Sequence, residues 1–245
     1  MSKTVCIIQS NYIPWRGYFD LIGLSDEFIV YDNVQYTKND WRNRNRIKTN
    51  RGSIWLTIPV AHSGHMGQAI DEARIARPAW AEKHWKTLSQ AYGRASFFKH
   101  YTAELEGLYA RSGEMDRLSQ VNRLWIDFIV QALGISTPIT SAHGYRFAGD
   151  RNARLIELCL AAGARRYLSG PAAQSYLDVN AFAENGIEVT FMDYDGYPDY
   201  PQLHGDFDPF VSILDLILNL GPDAPRFMKF AKRGDSSISL FPRIT

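Results

Sequence analysis

KTVCIIQSNYIPWRGYFDLIGL, residues 3–24, carries the reading on which the fold turns. Its first part, KTVCIIQ (3–9), is a short apolar and β-branched run, the pattern of a buried strand. WRGYFDLIGL (15–24) then places Phe19, Ile22 and Leu24 on one helical face. The next segment, EFIVYDNVQY (27–36), is again strand-like. Strand, helix and strand in that order predict a βαβ unit and, with it, a parallel sheet. In such sheets the turn after the first strand commonly carries glycines that cradle a phosphate. Here it holds Asn11, Tyr12, Pro14, Trp15, Arg16, Tyr18 and Phe19, and one glycine, Gly17.

The rest of the chain extends the pattern. SIWLTIPV (53–60) reads as a third strand that ends near Pro59. Helical spacing dominates residues 77–93, 96–111 and 115–134, and Gly134 is a natural stop for the last of these. Strands then alternate with helices: strand 136–142, helix 149–163 with Asp150 as N-cap, strand 164–170, helix 178–186, strand 187–194 and a strongly apolar helix 210–221. The expected fold is α/β, a mostly parallel, open, Rossmann-like sheet, with the 77–134 helices inserted or packed on one face. No repeat or linker divides the chain, so residues 1–245 are expected to form one domain. In open α/β sheets ligands bind beyond the C-terminal strand ends. That rule selects the loops 9–18, 32–52, 60–76, 142–152 and 169–177, followed by 194–209.

Composition bounds the partners. Apolar residues make up 45% and charged residues 22% of the 245, with a net charge of +1. A near-neutral field argues against nucleic acid as a partner. Cys6 and Cys159 sit in apolar runs without metal-type spacing, as buried thiols of a reducing compartment do. The N-terminus lacks the apolar run of a signal peptide, and no segment approaches the ~18 apolar residues of a membrane span. A cytoplasmic protein with no membrane partner is expected.

Five stretches could carry chemistry. In the opening turn, Pro14-Trp15-Arg16-Gly17-Tyr18 resembles the P-H-x-G-H signature of adenylate-forming nucleotidyltransferases, which implies a nucleotidyltransferase-like topology. Trp15 and Tyr18 stand where that signature has histidines, so adenylyl transfer loses its charge stabilisers. Gln9, Asn11 and Tyr12 lie at the end of the first strand and are expected to contact ligand; Trp15 and Tyr18 would wall the pocket or pack the helix.

The second stretch, DNVQYTKNDWRNRNRIKTNRG (32–52), opens with Asp32 and Gln35 as candidate contacts. From Lys38 to Arg51 it holds six basic residues against one acid, Asp40. The rhythm Arg42-x-Arg44-x-Arg46-x-Lys48 would aim four cations to one side of an extended segment, a set suited to a diphosphate. A solvated charged hairpin is the plainer alternative. In the third stretch, His62 and His65 lie three apart in a Gly-rich loop. No further ligand completes a metal site, and His65 is a candidate acid or base. The fourth, YLSGPAAQSYL (167–177), offers Ser169 and Gly170 at a strand end, where backbone N–H groups can receive an anion. The fifth, DYDGYPDYPQLHGDFDPF (193–210), mixes five aspartates with tyrosines. His204, flanked by Gln202 and Asp206, is its candidate general base.

QSNYIPWRGYFDLI, DNVQYTKNDWRNRNRIK, RYLSGPAAQSYL and DYPQLHGDFDPFVSILDLILN together resemble the WbqC-like family, across nearly the whole chain from Lys3 to Leu220. The resemblance implies a role in bacterial surface-polysaccharide or O-antigen synthesis, in making or modifying a nucleotide-linked sugar. It carries no catalytic residues over. The expected function is a transferase that N-acylates or otherwise modifies a nucleotide-activated amino sugar, with His204 or His65 taking the proton. The acyl donor is open, an acyl thioester being one class that fits; oligomeric state is open too, a homodimer included. An ATP-dependent nucleotidyltransferase or ligase and a non-catalytic binding module are the competing readings.

Overall fold

The computed structural model describes residues 2–61, 67–77 and 79–232. Its strands are β1 (Thr4–Ile8), β2 (Glu27–Val30), β3 (Arg44–Thr49), β4 (Gly52–Thr57), β5 (Ile139–Ser141), β6 (Arg166–Ser169) and β7 (Glu188–Phe191). Five of them form one sheet in the order β5-β2-β1-β6-β7. Every pairing in it is parallel, and Cys6 of β1 lies between Phe28 of β2 and Leu168 of β6. The α/β class, the parallel sheet and the opening βαβ unit are as the sequence predicts.

Period-two alternation splits the core between the sheet's faces. Val5, Ile7, Ile29, Tyr31, Tyr167, Val189 and Phe191 face α5 (Arg151–Ala161) and α6 (Val179–Glu184). Cys6, Phe28, Val30 and Leu168 face α1 (Arg16–Leu24) and the larger core beyond it. That core is built on α2 (Trp80–Tyr92), α3 (Phe98–Glu114), α4 (Leu118–Ala132) and α7 (Ile213–Leu220). The helices expected at 77–134 therefore pack on one face. Gly134 ends α4 at φ +67°, a conformation open to glycine. Asp150 caps α5 by accepting from Ala153 N at 2.9 Å. Among the described residues no helix is long and apolar enough to cross a membrane.

Two expectations about strands need correction. The 27–36 run stops as a strand at Val30, where its parallel partners end. The third strand expected at 53–60 is β4, and it is outside the sheet: it pairs antiparallel with β3, from Arg44 opposite Thr57 to Thr49 opposite Gly52. β3 escapes a hydropathy reading because one of its faces is Arg44, Arg46 and Lys48. Its other face is buried Asn45 and Ile47.

The chain's end closes on its beginning. Ser212 N donates to Arg46 O at 2.8 Å, and Ile213 N to Pro14 O at 2.9 Å. Residues 193–208 run across α1 and β3 as a strap. Tyr194 packs on Trp15 with ring centroids 4.8 Å apart, and Arg16 lies 4.2 Å from the Tyr197 ring centroid.

Candidate functional site

From β1 the chain builds outward through β2 to β5, then returns to lay β6 against the other side of β1. The reversal leaves the C-terminal ends of β1 and β6 side by side with connections leaving in opposite directions, the place where doubly wound sheets bind ligands. A cavity of about 700 Å³ opens there. Gln9 lines it from the end of β1, and Ser169 and Gly170 from the end of β6.

Three guanidinium groups converge on it: Arg42 from the β2–β3 connection, and Arg151 and Arg154 from the first turn of α5. Arg42 is fixed on both sides. Its Nη2 donates to Gln9 Oε1 at 3.1 Å, and its Nη1 lies 3.2 Å from Asp40 Oδ2. Arg151 sits 4.7 Å from the Tyr176 ring centroid, and Arg154 Nε donates to Gly149 O at 2.8 Å. Among the described lining residues the one carboxylate is Asp150, already engaged as the N-cap of α5. Three cations, the positive end of a helix dipole and a hydroxyl at a strand end make a receptor for a multiply charged anion, most simply phosphate or diphosphate.

The residues named from the sequence divide among several environments. Gln9, Gln35, Arg42, Ser169 and Gly170 line the cavity. Asp32 is buried behind it and accepts from Ser10 N at 2.7 Å; burial pushes its carboxyl above the ordinary aspartate range, against the pull of the Ser10 bonds. Asn122 reinforces this anchor by donating to Ser10 Oγ at 3.1 Å and to Arg42 O at 2.9 Å. Tyr18 is buried, and its hydroxyl donates to Gln9 O at 3.2 Å.

Tyr12, expected at the ligand surface, is fully buried among the helices instead. Its hydroxyl lies 3.0 Å from His84 Nδ1 and 3.2 Å from the Tyr109 hydroxyl. The reason is geometric: the backbone turns at Ile13 and drives the Tyr12 ring between Trp80 and Trp125, edge-on to both. The other three cations of the Arg42–Lys48 rhythm have partners within the fold. Arg44 covers the Trp55 ring at 4.2 Å, Arg46 pairs with Asp208 at 3.2 Å, and Lys48 donates to Gln202 Oε1 at 2.6 Å and to the Asp206 carbonyl. The alternation that aligns them is present; what Arg46 and Lys48 face is the strap, and Arg44 lies on Trp55 of β4. Gln202 also accepts from Asp208 N at 2.9 Å, which closes the strap on itself. His204 does not line the cavity: its Nε2 is 2.7 Å from the Ala91 carbonyl at the end of α2. His62 and His65 lie outside the described residues.

Asn11 and Trp15 belong to a second, smaller pocket of about 290 Å³, lined also by Pro14, Trp41, Asn45 and Phe210. The single glycine of the opening turn serves it. A Cβ at Gly17 would come 2.4 Å from the Trp15 ring, so glycine lets the indole fold back over the start of α1. Ile13 stands at φ +37°, an uncommon and strained conformation for a β-branched residue. Buried Asn45 holds it there, donating from Nδ2 to Tyr12 O at 3.3 Å and to Ile13 O at 2.9 Å.

Sequence reasoning missed Arg151, Arg154 and Tyr176. The signal was present: GDRNAR opens α5 directly after a loop singled out by the strand-end rule, and its arginines fall one turn apart. The denser basic run at 38–51 drew the reading away from them.

Comparison with known proteins agrees with the resemblance noted above. Over 231 residues the chain is 48% identical to the uncharacterized protein Rv1507c of Mycobacterium tuberculosis (strain ATCC 25618 / H37Rv), covering 94% of this chain and all of that one. No solved structure matches it. The model of the WbqC-like protein family matches residues 9–227, which take in the parallel sheet beyond β1, the three arginines of the cavity, the aromatic pocket and the strap. The chain belongs to the WbqC-like family.

Proposed function

We propose that the protein is a transferase acting on a nucleotide-activated amino sugar in bacterial surface-polysaccharide synthesis, and that the cavity between β1 and β6 receives the diphosphate. The observation that carries this reading is the meeting of Arg42, Arg151 and Arg154 at the sheet's switch point, where, among the described residues, the one lining carboxylate is the N-cap Asp150 and Asp40 offsets Arg42 alone. Membership of a family associated with surface-polysaccharide gene clusters supports the sugar assignment. If the sugar nitrogen attacks an activated acyl group directly, the protein's contribution is to position the reactants, and no protein nucleophile is required. Ser169, nearly buried in the cavity wall, fits a hydrogen-bonding role better than a nucleophilic one, because among the described residues its hydroxyl has as partner only the Tyr167 hydroxyl at 3.5 Å.

Calorimetric titration tests the reading. A nucleoside diphosphate is expected to bind at least about tenfold more tightly than its parent nucleoside, the contribution of charge-assisted bonds to phosphate. The Arg151→Gln/Arg154→Gln double variant should lose that preference. Equal binding of nucleoside and diphosphate, or a preference that survives the double variant, overturns it.

A further inference from the structure

The aromatic pocket adjoins the arginine-lined cavity. Gln9 lines one and Asn11, two residues on, lines the other; Arg42 lines one and Trp41, its neighbour, lines the other. Tyr12 N donates to Trp41 O at 3.0 Å and ties the two segments into a common wall. The two sides of that wall differ in chemistry. One presents three guanidinium groups, whereas the described lining of the other contains no charged residue.

The smaller pocket's rim consists of unusually exposed aromatics. Trp41 is 44% exposed and Phe210 66% exposed, and Trp55, also 44% exposed, continues the surface with its ring centroid 5.5 Å from that of Trp41. Exposed apolar rings that adjoin one another in a patch, unlike single ones, mark interaction or ligand sites. At the base, Asn11 Oδ1 is shielded from solvent and has no hydrogen-bond partner in the structure. Both polar ends of the neighbouring Asn45 are occupied, by the carbonyls of Tyr12 and Ile13 and by Arg46 N. The pocket thus has an unpartnered acceptor within its wall, which a ligand reaches when the Asn11 side chain turns toward it, beside rings that keep one face in water.

From these features we infer that the pocket is a subsite for an uncharged pyranose ring. Such a ring lays its apolar C–H face on an aromatic surface, gives a hydroxyl or amide N–H to a buried acceptor, and leaves its remaining hydroxyls hydrated. The half-exposed rim fits that occupant better than it fits a nucleobase, which is flat and apolar on both faces and buries best between two walls. A volume of about 290 Å³ is at the lower bound of small-molecule sites and matches a single ring. The strained Ile13 is the kind of backbone outlier that collects at binding sites. The inference rests on the proposed function only in treating this ring as a reactant; the binding claim stands separately.

The test uses the full chain and uncharged methyl glycosides, N-acetylated ones included, with no phosphate present. In heteronuclear NMR the Trp41 indole N–H signal, assigned with Trp41→Phe, is expected to shift saturably as glycoside is added. Phe210→Ala, at a side chain too exposed to hold the fold, should weaken the interaction at least about fivefold, since stacking on an aromatic is worth about a kilocalorie per mole. Asn11→Ala should weaken it by a similar factor. Arg151→Gln/Arg154→Gln should leave glycoside binding unchanged, and Phe210→Ala should leave nucleoside diphosphate binding unchanged, so the two sites can fail independently. No shift with any glycoside overturns the inference. A shift with free nucleosides but not glycosides assigns the pocket to a base and also overturns it. So does concentration-dependent self-association that Phe210→Ala abolishes, which would make the rim a contact between copies of the chain.

Discussion

Arg42 Nη2 donates to Gln9 Oε1 across 3.1 Å, joining the basic 32–52 segment to the end of the central strand. Of the four cations in the Arg42–Lys48 rhythm, Arg42 alone lines the switch-point cavity. Gln9→Ala should therefore release the guanidinium without removing its charge. The expected outcome is a fewfold weaker affinity for nucleoside diphosphate with little change in melting temperature, read by calorimetry beside a thermal scan. Arg42→Ala, which removes the charge as well, should weaken it by at least about tenfold.

Lys48 and Asp208 are expected to behave in the opposite way. Lys48 is nearly buried, and its ammonium is held by Gln202 and the Asp206 carbonyl; Asp208 accepts from Arg46 and Ser53. Lys48→Met should detach the strap and lower stability by about 2–4 kcal/mol, because it leaves Gln202 Oε1 and the Asp206 carbonyl without their buried cation. Where the variant remains folded, nucleoside diphosphate affinity should match that of the parent. Chemical denaturation and calorimetry on the same sample separate the two effects.

His84 gives the fold an acid sensitivity of known sign. Burial favours the neutral imidazole and lowers its pKa from near 6.5 to about 4, against a stabilising backbone bond to Thr57. The unfolded chain takes up the proton first as pH falls, so His84 leaves stability intact above pH 6.5 and removes it between 6.5 and 4. The whole loss amounts to about 3 kcal/mol. His84→Gln should flatten this part of the stability–pH curve, measured by urea denaturation at half-unit intervals.

Tyr12→Phe removes the hydroxyl that sits between His84 Nδ1 and Tyr109 and leaves both buried groups without that partner. A cost of about 1–3 kcal/mol is expected. Ligand affinity should hold, since the Tyr12 side chain is fully buried.

Asn45→Ala tests the support of the strained turn. Two carbonyls, those of Tyr12 and Ile13, lose their donor, and Ile13 loses what holds it at positive φ. Stability should fall by about 2 kcal/mol. The Trp41 indole signal should broaden or move even without ligand, because Trp41 O is bonded to Tyr12 N.

Much of the architecture was legible because it rests on burial. The strands of the parallel sheet read as short apolar runs, the packed helices showed their spacing, and Asp150 and Gly134 marked their ends. Of the β3–β4 hairpin, β4 was legible as a strand and β3 only as a charged rhythm. One face of β3 is neutralised by aspartate and amide groups more than 150 residues away, and no local pattern encodes such pairing. The candidate site was half legible for a related reason. The strand-end rule pointed to Gln9, Ser169, Gly170 and Arg42, but charge density favoured Arg44, Arg46 and Lys48 over Arg151 and Arg154. What separates the two sets is where the fold carries them: β3 lays Arg44, Arg46 and Lys48 against Trp55 and the strap, whereas α5 brings Arg151 and Arg154 to the switch point, a three-dimensional property. Tyr12 was misplaced because a one-residue change of backbone handedness at Ile13 redirects a side chain without altering the composition around it.

The strap has a consequence for how the molecule must be made. The opening turn is fastened to Ser212, Ile213 and Asp208 by way of Pro14 and Arg46, so its contacts span most of the sequence. A ribosome will have released the first strand, the hairpin and the three central helices well before those partners emerge. Contacts of such long sequence separation form late and slowly. Until α7 arrives, the strained Ile13 turn lacks part of its support, and the exposed aromatics beside it are sticky surface on a nascent chain. Assembly of the wall between the two pockets is thus a terminal event of synthesis, and truncations that stop short of Ser212 should accumulate as insoluble chains, whatever the strength of the sheet behind them.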